Sequence, residues 1–278
     1  MSLLAHGLAE GEGGWLGVGA SAWHARKETG NRPQNELDMS RVSGVLVAGI
    51  DLSGRTTGTT ALAWLVGTAS GERPRLERPV VTDGLRGAKG DERIVGLLVD
   101  VRPDVVAIDA PLHLPHAVTC RDENCQRCFP SGGGYPSYTT RMLERKDRWE
   151  GPTTRPPMPM VMVAGIAFRA IFLRRLLERE GIRVIETWPA GVLRQMQNAP
   201  GRSTRLDAGT RARLLLGSVD DPGWRLQQPD LSLDVADAVA AALAAYAFAT
   251  GRFQSIGDNA WPDEGAIVLP CVAQSALT

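Results

Sequence analysis

Three carboxylates in this chain close apolar runs that read as buried strands. Asp51 ends Val45-Leu46-Val47-Ala48-Gly49-Ile50, Asp109 ends Val105-Val106-Ala107-Ile108, and Glu186 lies next to last in Ile182 to Thr187. Two more, Asp234 and Asp237, open an Ala-rich stretch three residues apart, which puts them on one face of a helix. An ionised side chain at the end of a buried strand costs stability unless it is hydrogen-bonded, caps a turn or coordinates something. The carboxyl ends of strands are also where open α/β sheets build their ligand sites. Carboxylates gathered there stay ionised together only around a cation, and an all-oxygen donor set suits Mg²⁺ or Mn²⁺. Each has a plainer reading: an Asx-turn for Asp51, a turn before Pro111 for Asp109, a surface strand end for Glu186, a helix N-cap for Asp234. Asp237, inside an Ala/Val face, is the hardest to explain in that way.

A second group has softer donors. His113, His116, Cys120, Cys125 and Cys128 fall within sixteen positions. Cys125-x2-Cys128 is one half of a zinc knuckle, and Cys120 with His116 completes a tetrahedral set for a structural Zn²⁺. Reduced thiols in a metal-free loop are the alternative. Around this group lie Arg141, Arg145 and Arg148, with Tyr135, Tyr138 and Trp149. Basic residues interleaved with aromatics suit a flexible nucleic-acid strand. A solvated arm, partly neutralised by Asp122, Glu123, Glu144 and Asp147, accounts for them equally well.

The elements that position these groups follow from pattern. Strands are expected to end at Asp51, to span 59–67 and, as an edge, 75–82. Asp91 reads as the cap of a helix over 92–101, stopped by Pro103, and a strand ending at Asp109 follows. A helix leading into such a strand is a crossover to a parallel pairing. Residues 110–160, rich in Pro, Gly, Arg, Cys and His, form an insert with no clear strand. An amphipathic helix over 160–180 ends at Gly181, and the Glu186 strand comes next. Shorter helices near 189–197 and 206–216, a long Ala-rich helix over 234–250 and a strand candidate at 266–269 complete the pattern. Residues 1–40 lack hydrophobic periodicity and read as a disordered extension, with Met39 an alternative start, so 41–278 is expected to be one domain.

In this order the motifs resemble a known superfamily. Asp at the end of a first strand, an acid on a fourth and Asp in a last helix are similar to the ribonuclease H-like fold. Asp234-Val-Ala-Asp237-Ala is similar to the terminal helix of Holliday-junction resolvases. Gly-Ile-Asp51-Leu, Ala-Ile-Asp109-Ala-Pro-Leu, Glu186-Thr-Trp-Pro and Ile256-Gly-Asp…Glu264-Gly-Ala-Ile-Val-Leu-Pro resemble an uncharacterised family of predicted nucleases with that fold, the domain of unknown function 429 type. The resemblance implies an α/β fold with a mixed five-stranded sheet, its first three strands antiparallel and the fourth and fifth parallel to the first. It implies one or two metal ions on Asp51, Asp109 and Asp237, supported by Glu186 or Asp234, and hydrolysis of phosphodiester bonds in nucleic acid.

Two other classes stay open. An actin-like ATPase or small-molecule kinase shares the core topology, and Asp51-Leu-Ser-Gly-Arg-Thr-Thr-Gly resembles its first phosphate-binding hairpin. Against it, Asp109 is followed by Ala-Pro-Leu, not by a Gly-rich turn. A non-catalytic nucleic-acid-binding module is the third. Composition narrows the setting. With 31 basic and 31 acidic residues in 278, the molecule is no polycation, so any nucleic-acid contact is local. Nearly all positive charge is Arg, which favours bidentate phosphate contacts but also follows from coding bias. No membrane-length apolar run and no signal-peptide pattern occur, and four cysteines do not make a disulfide framework, so a cytoplasmic protein is expected.

Overall fold

The apolar residues preceding Asp51 and Asp109 are buried on both alternating sets, which forces helices onto both faces of the sheet. The computed structural model describes residues 44–53, 59–70, 72–78, 80–128, 138–145, 149, 157–197, 206–221, 232–257 and 259–271. The expectations for residues 1–40, for the hairpin turn at 54–58, and for Tyr135 and Arg148 lie outside them.

Strand β1 (Gly44–Asp51) pairs antiparallel with β2 (Ala61–Thr68), which pairs antiparallel with β3 (Arg75–Leu76). Helix α1 (Gly87–Val101) then crosses over to β4 (Val105–Asp109), parallel to β1. Strand β5 (Arg183–Thr187) lies parallel to β4. This is the ribonuclease H-like arrangement, and the fold is α/β. Two strands extend it beyond the expected five: β7 (Ala266–Pro270) parallel to β5, and β6 (Phe253–Gly257) antiparallel to β7, giving the order β3-β2-β1-β4-β5-β7-β6. The β6 segment carries Gln254 and Ser255, both exposed, and lacks the apolar alternation that would announce a strand. The third strand is shorter than expected: past Leu76 the Glu77 amide still donates to the Trp64 carbonyl, and an isolated bridge joins Leu62 to Val81.

Two further helices are short: α2 (His116–Thr119) in the insert and α4 (Pro189–Met196) after β5. Helix α3 (Ala164–Arg179), entered through a 3₁₀ turn at Met160–Val163, packs with α1 on one face over Ile50, Trp64 and Ile108. Helices α4, α5 (Ala208–Ser218) and α6 (Leu233–Ala249) cover the other face over Val47, Ala63 and Ala107. Asp91 does not cap α1. Arg86 stands at the cap, and Asp91 is buried inside the helix, bound through Oδ1 by Arg169 Nε at 2.7 Å. The same guanidinium donates to the carbonyls of Ser53 and Leu85 and to Thr60 Oγ1, tying the ends of the β1–β2 hairpin to α3. A helix-starting acid and a buried ion-pair acid look alike in sequence; only the partner, 78 residues away, separates them.

Candidate metal and nucleic-acid site

Asp51 and Asp109 are direct partners in the β1–β4 parallel register. They end adjacent strands on the sheet face that carries Gly49 and Ala107, the face covered by α6. Gly49 sets how closely that helix approaches. A Cβ there would collide with the Ala238 carbonyl and the Ala242 amide, so strand and helix meet backbone to backbone. The small residues Ala238, Ala241, Ala242 and Ala245 are fully buried in the same helix. Close approach lowers the first turns of α6 onto the strand ends and brings Asp234 and Asp237 to Asp51 and Asp109. Ser232, not Asp234, caps α6, its Oγ accepting from Val235 N, which leaves Asp234 in the first turn without a capping task.

The electrostatics fit a gathered cluster. Burial pushes the Asp51 carboxyl well above the ordinary aspartate range, and Asp109, Asp237 and Asp234 push it further. Burial does the same to Asp109, reinforced by Asp237 and Glu186. Arg211 of α5 opposes both shifts and forms an ion pair with Asp237. It brings one positive charge to four carboxylates.

Glu186 has a different place. Its in-register neighbour is Ile108, so it leaves the sheet on the α3 side, and Thr187 takes the position beside Asp109. Arg141 grips Glu186 with both terminal nitrogens, Nη2–Oε1 at 2.5 Å and Nη1–Oε2 at 2.7 Å, and the Leu112 amide donates to Oε2 at 2.8 Å. Burial alone would raise the Glu186 carboxyl; the Arg141 pair overrides it and holds the group below its ordinary value. Two expectations are thereby corrected. Glu186 is committed to a guanidinium, and Arg141 is buried, not presented to solvent for a nucleic-acid strand. Trp149, expected on an exposed arm, is buried with its Nε1 donating to the Leu143 carbonyl. Arg145 is exposed, with Nη1 3.9 Å from the Met142 sulfur.

A cavity of about 250 Å³ opens at these strand ends, with Asp51, Asp109, Arg141 and Glu186 on its polar side. Met158, Val163, Ile166 and Trp188 add apolar lining to it. Hard oxygen donors beside an apolar lining can hold a divalent cation next to an organic ligand.

The softer donors also converge. One ligand atom each from His116, Cys120, Cys125 and Cys128 lies within 4.8 Å of the others. Helix α2 presents His116, and two successive turns place Cys125 and Cys128, with Cys128 N donating to the Cys125 carbonyl at 3.0 Å. His116 Nε2 faces Cys125 Sγ at 3.5 Å while Nδ1 meets Asp263 Oδ2 at 2.5 Å. Hydrogen bonding from His116 lowers the Cys125 thiol to about 6, whereas burial pushes Cys128 up to about 12. His113 stands apart, its Nε2 2.6 Å from Arg174 Nη1.

Sequence reading missed Arg211, Asp263 and Glu264. Glu264 accepts from the His116 amide at 2.8 Å and from the Met142 amide, joining the cysteine group to the segment that carries Arg141. No local pattern marked Arg211 or Asp263; Glu264 opens the Glu264-Gly-Ala-Ile-Val-Leu-Pro motif of the family resemblance, but that motif gave it no role.

A ribonuclease H-like sheet with a carboxylate cluster at its central strand ends, plus a His/Cys₃ group on an insert, defines the class of protein. Residues 49–261 match the family described as "Protein of unknown function (DUF429)", and the chain belongs to that family. No curated protein matches the sequence. Among solved structures it is similar to the Thermus thermophilus RuvC structure, at 18% identity over 74% of this chain and 97% of that one, with a TM-score of 0.40. It is similar also to T. thermophilus RuvC in complex with Holliday junction substrate, at 19% identity over 74% and 96% of the chains, again with a TM-score of 0.40. No helix among the described residues is long and apolar enough to cross a membrane.

Proposed function

We propose that the chain is a metal-dependent nuclease that hydrolyses phosphodiester bonds of nucleic acid at the ends of β1 and β4. The observation that carries this reading is the in-register pair Asp51–Asp109 beneath Asp237 and Asp234, with both strand carboxyls pushed up by burial and mutual repulsion. Such a set gains most by binding a small, hard dication, Mg²⁺ or Mn²⁺, on Asp51, Asp109 and Asp237, with Asp234 supporting. A divalent cation held there supplies charge stabilisation to a reacting phosphoryl group and lowers the pKa of an attacking water. Asp51, central among the four, sets the spacing of the donors. Glu186, paired with Arg141 at the cavity, supports the site by holding that segment in place and not by coordinating the cation. Arg211 neutralises Asp237 and must release it for that carboxylate to coordinate.

His116, Cys120, Cys125 and Cys128 hold a structural zinc in this proposal. The four donors match a Cys₃His set, and the Asp263 contact fixes the His116 ring as the partners of zinc-bound histidines do.

The experiment is cleavage of labelled single strands, duplexes, RNA–DNA hybrids and branched junctions with Mg²⁺, Mn²⁺ or chelator, by the natural chain and by Asp51→Asn. Activity should depend on the dication and fall ~100-fold or more in the variant. Equal cleavage by the variant, or cleavage indifferent to metal, would overturn the assignment. The variant separates the two metal sites, because a chelator strips both.

A further inference from the structure

The large apolar side chains exposed among the described residues are Tyr138, Met158, Val161, Met162, Phe168 and Phe172, with Val118 apart from them. Five of the six lie between residues 158 and 172, and the Val161 amide donates to the Thr139 carbonyl, next to Tyr138. On the 3₁₀ turn and α3, the exposed positions Val161, Gly165, Phe168, Phe172, Arg175 and Arg179 follow one another at helical spacing and form a single stripe. Phe168 is 59% exposed and Phe172 46%. The segment that opens the stripe also supplies Met158, Val163 and Ile166 to the lining of the carboxylate cavity, and it runs on about 24 Å from Val163 to Arg179. Its far end is cationic. Arg174 is paired with Glu178 at 2.8 Å, while Arg175 and Arg179 are engaged by no acid among the described residues.

Resting on the nuclease reading above, we infer that this stripe is a stacking track for an unpaired nucleic-acid strand that leads into the cavity. An unpaired strand offers apolar base faces at short intervals along an anionic backbone. Two aromatic rings one helical turn apart, followed by two guanidinium groups, match that chemistry. A duplex hides its base faces and would leave Phe168 and Phe172 against water or sugar. A second copy of this chain fits less well. Two-fold antiparallel pairing centred between Phe168 and Phe172 would set Arg175 over Gly165 and Arg179 over Val161 of the other copy, leaving both guanidinium groups without counter-charge. The track commits the site to single strands or to unpaired segments of branched or frayed duplexes.

The test is fluorescence anisotropy with the full-length protein carrying Asp51→Asn, to suppress cleavage, on a labelled oligothymidine and on a blunt duplex of equal length. The single strand should bind more tightly than the duplex. Phe168→Ala/Phe172→Ala should weaken single-strand binding by roughly tenfold or more and leave the duplex unchanged. Arg175→Gln/Arg179→Gln should reduce the slope of log affinity against log salt by about 1.4, two phosphate contacts' worth. All four residues are exposed, so thermal unfolding of both variants should match the parent. Single-strand affinity unaffected by the Phe pair overturns the track, as does a parent that binds no nucleic acid. So does a sedimenting dimer that the Phe pair abolishes without changing oligonucleotide affinity. The two readings fail separately. A strand bound through the Phe pair but never cut by the natural chain sinks the nuclease and keeps the track; metal-dependent cleavage that ignores the Phe pair does the reverse.

Discussion

Arg141 and Glu186 form a two-pronged ion pair with both side chains almost fully buried, across 45 residues of sequence and at the edge of the carboxylate cavity. Glu144 takes the remaining Nε at 2.7 Å, so the guanidinium has a carboxylate on each side. Removing one partner leaves a charge without compensation in a poorly solvated place. Arg141→Met should therefore cost about 3–5 kcal/mol in denaturant unfolding, whereas Arg141→Met with Glu186→Leu should recover part of the loss, because Glu186 no longer stays buried without its partner while Glu144 still does. Equal losses for single and double variants would show that the pair is not the source.

Gly49→Ala tests how α6 reaches the site. The added methyl meets backbone, which cannot rotate away, so strand and helix must separate. A stability loss of about 3 kcal/mol is expected from this overpacking. Titration calorimetry with Mn²⁺ should also show weaker binding, since the displaced helix carries Asp234 and Asp237. Unchanged Mn²⁺ affinity in a destabilised variant would mean that α6 does not complete the donor set.

The raised carboxyls of Asp51 and Asp109 imply a pH dependence of definite sign. A carboxyl whose folded pKa exceeds its unfolded value binds its proton more tightly in the fold. Its ionised form therefore costs stability above the folded pKa, and that cost disappears as pH falls toward the unfolded value near 3.8. Without divalent metal, Asp51→Asn/Asp109→Asn should melt above the natural chain near pH 8, with the gap closing on the way to about pH 5. Added Mg²⁺ should raise the melting temperature of the natural chain most at the alkaline end and do little for the variant. A gap that widens on acidification would contradict the clustering of these groups.

Asp263→Asn addresses the softer site. The carboxylate binds His116 Nδ1 and so fixes which nitrogen faces the cysteines. Losing the charge should lower zinc affinity ~10–100-fold, read by competition with a chromogenic chelator. Protein purified without added metal should carry about one zinc per chain before the change. A metal-free and fully stable natural chain would retire the zinc assignment.

The sequence by itself determined much of this. The apolar runs ending in Asp51 and Asp109, the helix stop at Gly181 and the capped Ala-rich helix are local signals, readable because strand and helix periodicities lie within a few neighbouring residues. His116, Cys120, Cys125 and Cys128 were legible for the same reason: a group confined to thirteen positions has little freedom to disperse. Only tertiary structure decided where Glu186 points. Its segment resembles those of Asp51 and Asp109, yet the parallel register sets Thr187 beside Asp109 and turns Glu186 to the opposite face, because successive strand residues alternate sides. Only the fold, likewise, converted Arg141 from an apparent surface cation into the partner of that buried acid, and Asp91 from an apparent cap into the partner of Arg169. Periodicity tells which side chains share an element's face; charge pairing across 45 or 78 residues depends on how the elements dock, and no local window contains that information.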